Sequence, residues 1–187
     1  MERRELIKMI AAITGGAFIG GGLLTGCKSE PKLGGAAFSN DDILFLDEVA
    51  ETILPATKTP GAKAAKVGEL MKVMVNDTYD EQEQQIFHKS IIILNEASKK
   101  SLGKSFMDAT AAERTSLLTT IDGEAKAYQK TKNQTDPAHY FTMMKQLTLL
   151  GYFTSKEGAT QALRYIAVPG KYTGDYPYKK GDKAWAT

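Results

Sequence analysis

Helix-start signals recur along this chain, and apolar residues at helical spacing follow each of them. Ser39, Asp80 and Thr110 can each cap the first turn of a helix, and a glutamate three residues after the last two completes a capping box. Apolar residues then recur at intervals of three and four, the period of one face of an α-helix. No segment alternates between apolar and polar residues for long enough to predict a strand. The sequence therefore predicts an all-α single domain of five to six helices, followed by an irregular C-terminal tail.

Two of the predicted helices carry more specific expectations. The helix after Asp80 is predicted to lie at the centre of the domain, because Ile92 and Ile93 widen its apolar stripe. A later helix is predicted to begin at Asp136-Pro137, since proline at the first helical position loses no hydrogen bond. The first prediction concerns how much of a helix the core covers, and the second concerns where a helix starts.

The first 26 residues have the composition of an export signal. Arg3 and Arg4 open a charged region, an apolar stretch rich in glycine and alanine follows, and residues 24–27 read LTGC. The arginine pair and the residues after it resemble a twin-arginine export signal. Glutamate precedes the pair and leucine stands where phenylalanine is common, so export of an unfolded chain stays an alternative. A spanning helix is disfavoured, because five glycines interrupt the apolar stretch.

Cys27 is the single cysteine of the chain, which excludes an intramolecular disulfide. The LTGC motif that it ends resembles a bacterial lipobox, whose cysteine receives a diacylglyceryl group before cleavage. Two acyl chains would hold the exported domain firmly at a membrane, whereas one binds only reversibly. The predicted organisation is a lipoprotein signal peptide over residues 1–26, a lipidated N-terminus and linker over 27–38, and a helical domain over 39–187.

The C-terminal tail combines residues that break helices with aromatic side chains. Proline lacks an amide donor and glycine costs backbone entropy, so the segment Val168-Pro169-Gly170 ends helical structure. Four tyrosines nevertheless lie between positions 165 and 178, and tyrosine is typical of surfaces that pack against a neighbour. We expect the tail to cover either its own helices or a partner, and both interpretations stay open. The candidate partner-binding residues are Tyr152, Tyr165, Pro169, Gly170, Tyr172 and Tyr176.

Two stretches of the sequence resemble one protein family. The first reads LTLLGYFTSKEGATQALRY at residues 147–165 and continues as VPGKYTGDYP at 168–177. The second reads ETILP at residues 51–55 and TPGA at 59–62. Both are similar to segments of the gluconate 2-dehydrogenase subunit 3 family, and together they bracket the chain from about residue 39 to 178.

The resemblance implies a role in a complex rather than chemistry within this chain. Members of that family are small, cofactor-free subunits that accompany membrane-associated dehydrogenases of sugars and polyols. The large partner carries FAD, and its electrons pass toward a membrane acceptor, often through a cytochrome subunit. The small subunit is thought to assist folding and export of the large one.

The residues themselves name no catalytic, cofactor-binding or metal-binding site. His88 and His139 lie on separate predicted helices, and no HxxxH or HExxH motif supplies either with a second metal ligand. The sequence contains no GxSxG, GxGxxG or CxxCH motif, which would indicate nucleophilic, dinucleotide or haem chemistry. A net charge of +2 argues against nucleic-acid binding, which demands a concentrated basic face.

The expected function is therefore that of a non-catalytic accessory subunit. We expect the chain to be exported, to be lipid-anchored in the bacterial cell envelope with its domain facing the periplasm, and to bind a large FAD-dependent dehydrogenase. A free-standing envelope lipoprotein that binds a ligand or another protein is the alternative, since a shared fold does not fix a function. An independent enzyme is a third interpretation, which the missing motifs disfavour.

Overall fold

The computed structural model describes residues 34–35 and 37–186 of the chain. Its helices are α1 (Asn40–Ile53), α2 (Val67–Thr78), α3 (Glu81–Leu102), α4 (Ala111–Thr131) and α5 (Tyr140–Thr154), followed by a π-helical turn at Gly158–Ala162. The irregular segment after that turn forms one isolated parallel bridge. The described residues confirm the predicted all-α fold, and none of their helices is long and apolar enough to cross a membrane. The predicted export signal with Arg3 and Arg4, and the predicted lipidation site Cys27, lie outside the described residues.

Three helices begin at the caps that the sequence predicts. Ser39, Asp80 and Thr110 each accept a hydrogen bond from the backbone amide three residues later. The acidic residue at that later position reaches back to the amide of the cap, which completes a capping box in all three cases. Each box satisfies two amides that have no partner within their helix, and a capping side chain contributes about 1 kcal/mol. Local sequence therefore fixes where α1, α3 and α4 start.

α5 has the largest buried fraction of the five helices and, like α1 and α3, contacts each of the other four. Seven of its 15 residues are buried, compared with five of the 22 residues in α3. The core around it is continuous, and its largest fully buried side chains include Phe45, Phe87, Phe106, Phe141 and Met144. Burial of apolar surface stabilises the fold by about 25 cal/mol per Å2, so this core is the main source of stability.

The prediction that α3 is the central helix is wrong. Ile92 and Ile93 are 37% and 44% exposed, because the buried stripe of α3 runs through Phe87, Ile91 and Leu94 and turns the other two isoleucines outward. Three isoleucines in succession cannot all face one core, and their apolar character alone does not show which of them does. Packing of the neighbouring helices decides it.

The start of α5 also differs from the prediction. Asp136-Pro137 lie in a turn, where the Asp136 carboxylate accepts hydrogen bonds from the backbone and side-chain amides of Asn133. α5 begins after His139, whose Nδ1 accepts a hydrogen bond of 3.2 Å from the Phe141 amide. The aspartate is thus engaged with residues that precede it, and a histidine takes the capping position instead.

A partly buried ion cluster connects α1 to α4 and to the loop that precedes α4. Glu48 on α1 forms salt bridges with Arg114 and with Lys63, whose ammonium lies 2.7 Å from the carboxylate. Arg114 also donates to the carbonyls of Phe106 at 2.9 Å and Met107 at 2.7 Å. Burial acts to raise the pKa of Glu48, but the bond from Lys63 and the charge of Arg114 outweigh it, so the pKa is lowered. One guanidinium therefore holds two helices and a loop together.

Candidate partner-binding site

Residues 164–186, which we call the C-terminal loop, close on themselves at their base. The amide of Arg164 donates to the carbonyl of Ala184, and the amide of Ala186 donates to the carbonyl of Arg164, both at 3.0 Å. These two hydrogen bonds form the parallel bridge between Arg164 and Trp185. The end of the loop is thereby tied back to its beginning.

An arginine in contact with two aromatic rings occupies this base. The guanidinium carbon of Arg164 lies 4.1 Å from the centre of the Trp185 ring and 5.1 Å from that of Tyr176. The two rings meet edge to face, with centroids 5.5 Å apart and planes at 82°. Cation–π contacts contribute about 0.5–2 kcal/mol each, so contacts within the loop hold its shape.

The loop exposes aromatic and apolar side chains, and several of them line a cleft. Tyr172 is 96% exposed and Val168 is 80% exposed, while Tyr165 and Tyr176 are about half exposed. The cleft has a volume of about 320 Å3, and its lining residues are Ile166, Pro169, Lys171, Tyr172, Thr173, Tyr176 and Trp185. Single exposed apolar residues are ordinary on protein surfaces, whereas a contiguous group of them marks a binding surface.

The C-terminal loop takes no part in the domain's core. Ala162 is the last apolar residue that packs against that core, and every residue from 165 to 185 is exposed. Of the two interpretations of the tail, the one in which it seals the core therefore does not hold for the described domain. Partner binding is the interpretation that stays open.

Five of the six candidate partner-binding residues lie together on this loop: Tyr165, Pro169, Gly170, Tyr172 and Tyr176. Tyr152 lies apart from them on α5, where it is 4% exposed. Its hydroxyl donates a hydrogen bond of 2.7 Å to the carbonyl of Pro60. Tyr152 therefore packs within the domain, and contact with a partner stays a prediction for the other five.

The hydrogen bond from Tyr152 joins the two sequence stretches that carry the family resemblance. Tyr152 belongs to the LTLLGYF stretch and Pro60 to the TPGA stretch, 92 positions apart. Before TPGA, the Glu51 carboxylate accepts hydrogen bonds from the amides of Ala56 at 2.8 Å and Lys63 at 2.9 Å, which holds the intervening turn in place. The two stretches thus build one structural junction between α5 and the turn after α1.

Comparison with models of known families agrees with the resemblance that these two stretches carry. The model described as Gluconate 2-dehydrogenase subunit 3 matches residues 40–170, more than two thirds of the chain. The chain belongs to this family. Among curated proteins and among solved structures, none matches the chain. Membership of the subunit 3 family indicates an accessory subunit of a larger, gluconate 2-dehydrogenase-like complex.

The subunit 3 match contains the whole junction but only the first part of the C-terminal loop. It ends at Gly170, so Tyr172, Tyr176 and Trp185 lie beyond it. The sequence analysis did not single out Arg164 and Trp185, the two residues that meet at the base of the loop. Trp185 is the one tryptophan of the chain, so composition alone could have drawn attention to it. Its contact with Arg164 spans 21 positions, however, and no local sequence pattern indicates that contact.

A second apolar surface of this subunit 3 protein lies on the outer side of α5. Leu149, Leu150 and Phe153 are 39%, 45% and 37% exposed. Residues 149 and 153 are four positions apart and therefore lie one above the other on the helix. The stripe stands at the end of α5 that leads into the π-helical turn and the C-terminal loop.

Neither histidine belongs to a candidate metal-binding group within the described part of the subunit. No group of three or more histidine, cysteine or acidic side chains there could hold a metal ion. His139 caps α5, and burial lowers its pKa against the opposing charge of Glu124. His88 stacks on Phe38 with ring centroids 4.2 Å apart, and burial lowers its pKa despite the charge of Asp42. Each ring contacts a neighbouring residue of the domain, His139 through the Phe141 amide and His88 through the Phe38 ring.

Proposed function

We propose that this chain is the non-catalytic accessory subunit of a flavin-dependent dehydrogenase complex, and that it assists folding, export and membrane association of the large FAD subunit. The observation that carries the proposal is the C-terminal loop, which lies outside the core and exposes Tyr172 and Val168 to solvent. Such a loop adds nothing to the packing of a free-standing domain, whereas a subunit gains a contact surface from it. Family membership supports association with a larger dehydrogenase complex.

The proposal assigns the chemistry to the partner. The large subunit would bind FAD and oxidise a sugar, a sugar acid or a polyol, with a cytochrome subunit as a further partner on the way to a membrane acceptor. The described domain commits prominent carboxylates to its own structure: Glu48, Glu113 and Asp122 are each engaged in salt bridges. The accessory subunit would thus contribute a binding surface, an export signal and a membrane anchor.

The export role rests on the N-terminal sequence. A twin-arginine signal directs folded, cofactor-loaded proteins, so a signal on this chain would also carry an FAD-loaded partner that lacks one. Acyl chains on Cys27 would then hold the complex at a membrane, with the domain facing the periplasm of a bacterial envelope.

Replacing both Arg3 and Arg4 with lysine is expected to retain this chain and its flavoprotein partner together in the cytoplasm. The arginine pair is the recognised feature of the signal, and a partner without a signal of its own crosses only within the folded complex. The measurement is the amount of each chain in periplasmic and cytoplasmic fractions, together with co-purification of a yellow large chain.

Lys8→Arg keeps the charge of the same region and serves as the matched control for export. If the flavoprotein reaches the periplasm undiminished when the arginine pair is replaced, co-export is refuted, and association after transport is then judged by co-purification. If the unmodified chain co-purifies with no flavoprotein, the accessory role itself is refuted.

Cys27→Ala is expected to release the mature domain from membranes or to leave the chain unprocessed, because no other cysteine can accept the lipid. Metabolic labelling with radioactive palmitate, followed by membrane fractionation, measures the effect. Ser29→Ala, two positions away, is the control and should keep both label and membrane association. Label that persists in Cys27→Ala would show that the lipid is attached elsewhere.

A further inference from the structure

We propose that Arg164 and the cleft beside it bind a carboxylate-bearing segment of the large flavoprotein subunit. The inference rests on the proposed function, which supplies the partner, and it adds the docking site and the charge of what docks there. Three features of the C-terminal loop carry it: the guanidinium of Arg164, the net charge of the loop and its closed shape.

Arg164 forms no salt bridge with any acidic residue among residues 34–35 and 37–186. Its guanidinium lies against the rings of Trp185 and Tyr176. Its Nε is buried without a hydrogen bond, so the donors that remain for an incoming carboxylate are those of the two terminal nitrogens. Stacking uses the faces of the guanidinium plane and leaves N–H donors at its edges for an acceptor. A carboxylate can accept two of these donors in parallel, which makes the pair both strong and directional.

The charge of the loop favours an acidic partner. Residues 164–186 contain one arginine, four lysines and two aspartates, so the loop carries a net charge of +3 while the rest of the chain carries −1. Asp182 is occupied within the loop, where it accepts a hydrogen bond of 2.9 Å from the Lys179 amide. Complementary charge steers association and suppresses wrong partners, so a surface of this sign selects a segment rich in aspartate or glutamate.

The loop is held in one shape before a partner arrives. The hydrogen bonds at its base and the edge-to-face contact of Tyr176 with Trp185 fix one wall of the cleft. Binding to a preformed cleft loses less conformational entropy than ordering a free tail. Arginine, tyrosine and tryptophan are also the side chains that dominate the binding energy of protein interfaces. A cleft of about 320 Å3 admits a few side chains of a peptide segment.

A protein carboxylate fits these features better than a lipid headgroup or a second copy of this chain. An anionic membrane attracts lysines as point charges and requires neither an oriented guanidinium nor a closed cleft. Two loops of charge +3 repel each other. The directional arginine, which contacts the cleft residues Tyr176 and Trp185, is the feature that distinguishes a peptide from a membrane surface.

The test measures the affinity of the detergent-purified full chain for the flavoprotein co-expressed with it. Arg164→Glu should weaken binding by roughly 100-fold, because it sets like charges against each other, and Arg164→Lys by about 10-fold, because an ammonium lacks the planar fork. Added salt should weaken the unmodified chain more than it weakens Arg164→Glu. Lys100→Glu, an equal charge reversal at an exposed position of α3, should leave the affinity unchanged.

The integrity of the loop is checked separately, since Arg164→Glu removes a stacking contact. Trp185 is the one tryptophan of the chain, so the emission spectrum of the isolated chain reports directly on the loop. Tyr172→Ala alters a side chain that is 96% exposed, leaves the base of the loop intact and should still weaken binding about 10-fold. Tyr172→Ala should also keep the melting temperature of the unmodified chain, because the Tyr172 side chain lies outside the core.

The possible outcomes distinguish failure of the proposed function from failure of this inference. If the unmodified chain binds no flavoprotein, the proposed function fails and the inference fails with it. If it binds, and Arg164→Glu and Tyr172→Ala bind equally tightly, only the inference is overturned. Binding to phosphatidylglycerol vesicles that Arg164→Glu abolishes, with the flavoprotein affinity unchanged, would assign the site to lipid headgroups and overturn the inference. Self-association that Arg164→Glu abolishes, again with that affinity unchanged, would assign it to a second copy and overturn it equally.

Discussion

Gly158→Ala is expected to lower the free energy of unfolding by about 3 kcal/mol, because the added methyl group has no space. A Cβ at this position would lie 1.9 Å from the carbonyl oxygen of Tyr152 and 2.7 Å from its carbonyl carbon. Both are backbone atoms at the end of α5, so rotation of a side chain cannot relieve the clash. Relief requires the π-helical turn to move away from α5, which breaks the 3.0 Å hydrogen bond from the Gly158 amide to the Ser155 hydroxyl. Thermal unfolding followed by circular dichroism measures the change.

Gly123→Ala is the matched control, because it adds the same methyl group to an exposed position of α4. Nothing lies within 4 Å of a Cβ at Gly123, and alanine favours a helix over glycine by about 1 kcal/mol. The melting temperature should therefore rise in Gly123→Ala and fall by roughly 6–12 °C in Gly158→Ala. Equal melting temperatures for the two variants would contradict the close contact between Gly158 and Tyr152.

Arg114→Met is expected to cost about 3 kcal/mol, since it removes one partner of a mostly buried ion pair. The side chains of Arg114 and Glu48 are 12% and 18% exposed, so the carboxylate left behind has little access to water. The carbonyls of Phe106 and Met107 lose their donors at the same time. Lys63 still pairs with Glu48, which keeps the loss at the lower end for broken buried pairs. Urea unfolding measures the cost.

Lys126→Met is the control for an exposed salt bridge. Lys126 is 71% exposed and lies 2.7 Å from Asp122, so its removal should cost less than about 0.5 kcal/mol. The double variant Arg114→Met with Glu48→Met should recover part of the loss of the single variant, because no carboxylate is then left buried. Strictly additive losses would show that Arg114 stabilises the domain through Phe106 and Met107 alone.

Arg114→Met should also change how the stability of the domain depends on pH. Burial acts to raise the pKa of Glu48, yet Lys63 and Arg114 lower it overall from its ordinary value of 4.5. A carboxylate whose pKa is lower in the folded state stabilises that state above its unfolded pKa. The contribution is lost as the pH falls from 4.5 through the lowered value. Arg114→Met should therefore reduce the loss of stability in this acid range.

The helix starts could be predicted from the sequence because they depend on contacts only three residues apart. Ser39, Asp80 and Thr110 cap their helices as predicted, and each capping box is complete within the first turn of its helix. The burial of Leu117 and Leu118 in α4 likewise follows from apolar periodicity, which the chain carries locally. Such features are already determined in an isolated segment of the sequence.

The candidate site could be predicted only in part, because its decisive contacts join distant positions. The tyrosines of the tail indicated a binding surface, and Tyr152 was grouped with them. Tyr152 is buried instead, and its hydroxyl donates a hydrogen bond to the carbonyl of Pro60, 92 positions away. The contact of Arg164 with Trp185 exists only because the loop closes. Neither helical propensity nor periodicity records how a chain closes on itself.

Phe38 is the first buried residue in the described part of the chain, 9% exposed and packed against Phe87 and His88. Cys27 precedes it by eleven residues, which span at most about 40 Å whatever their conformation. A lipid on Cys27 would therefore confine this point of the domain to a layer of that thickness above the membrane. The length of the segment between Cys27 and Phe38 would then limit how far a bound flavin subunit can stand from its electron acceptor.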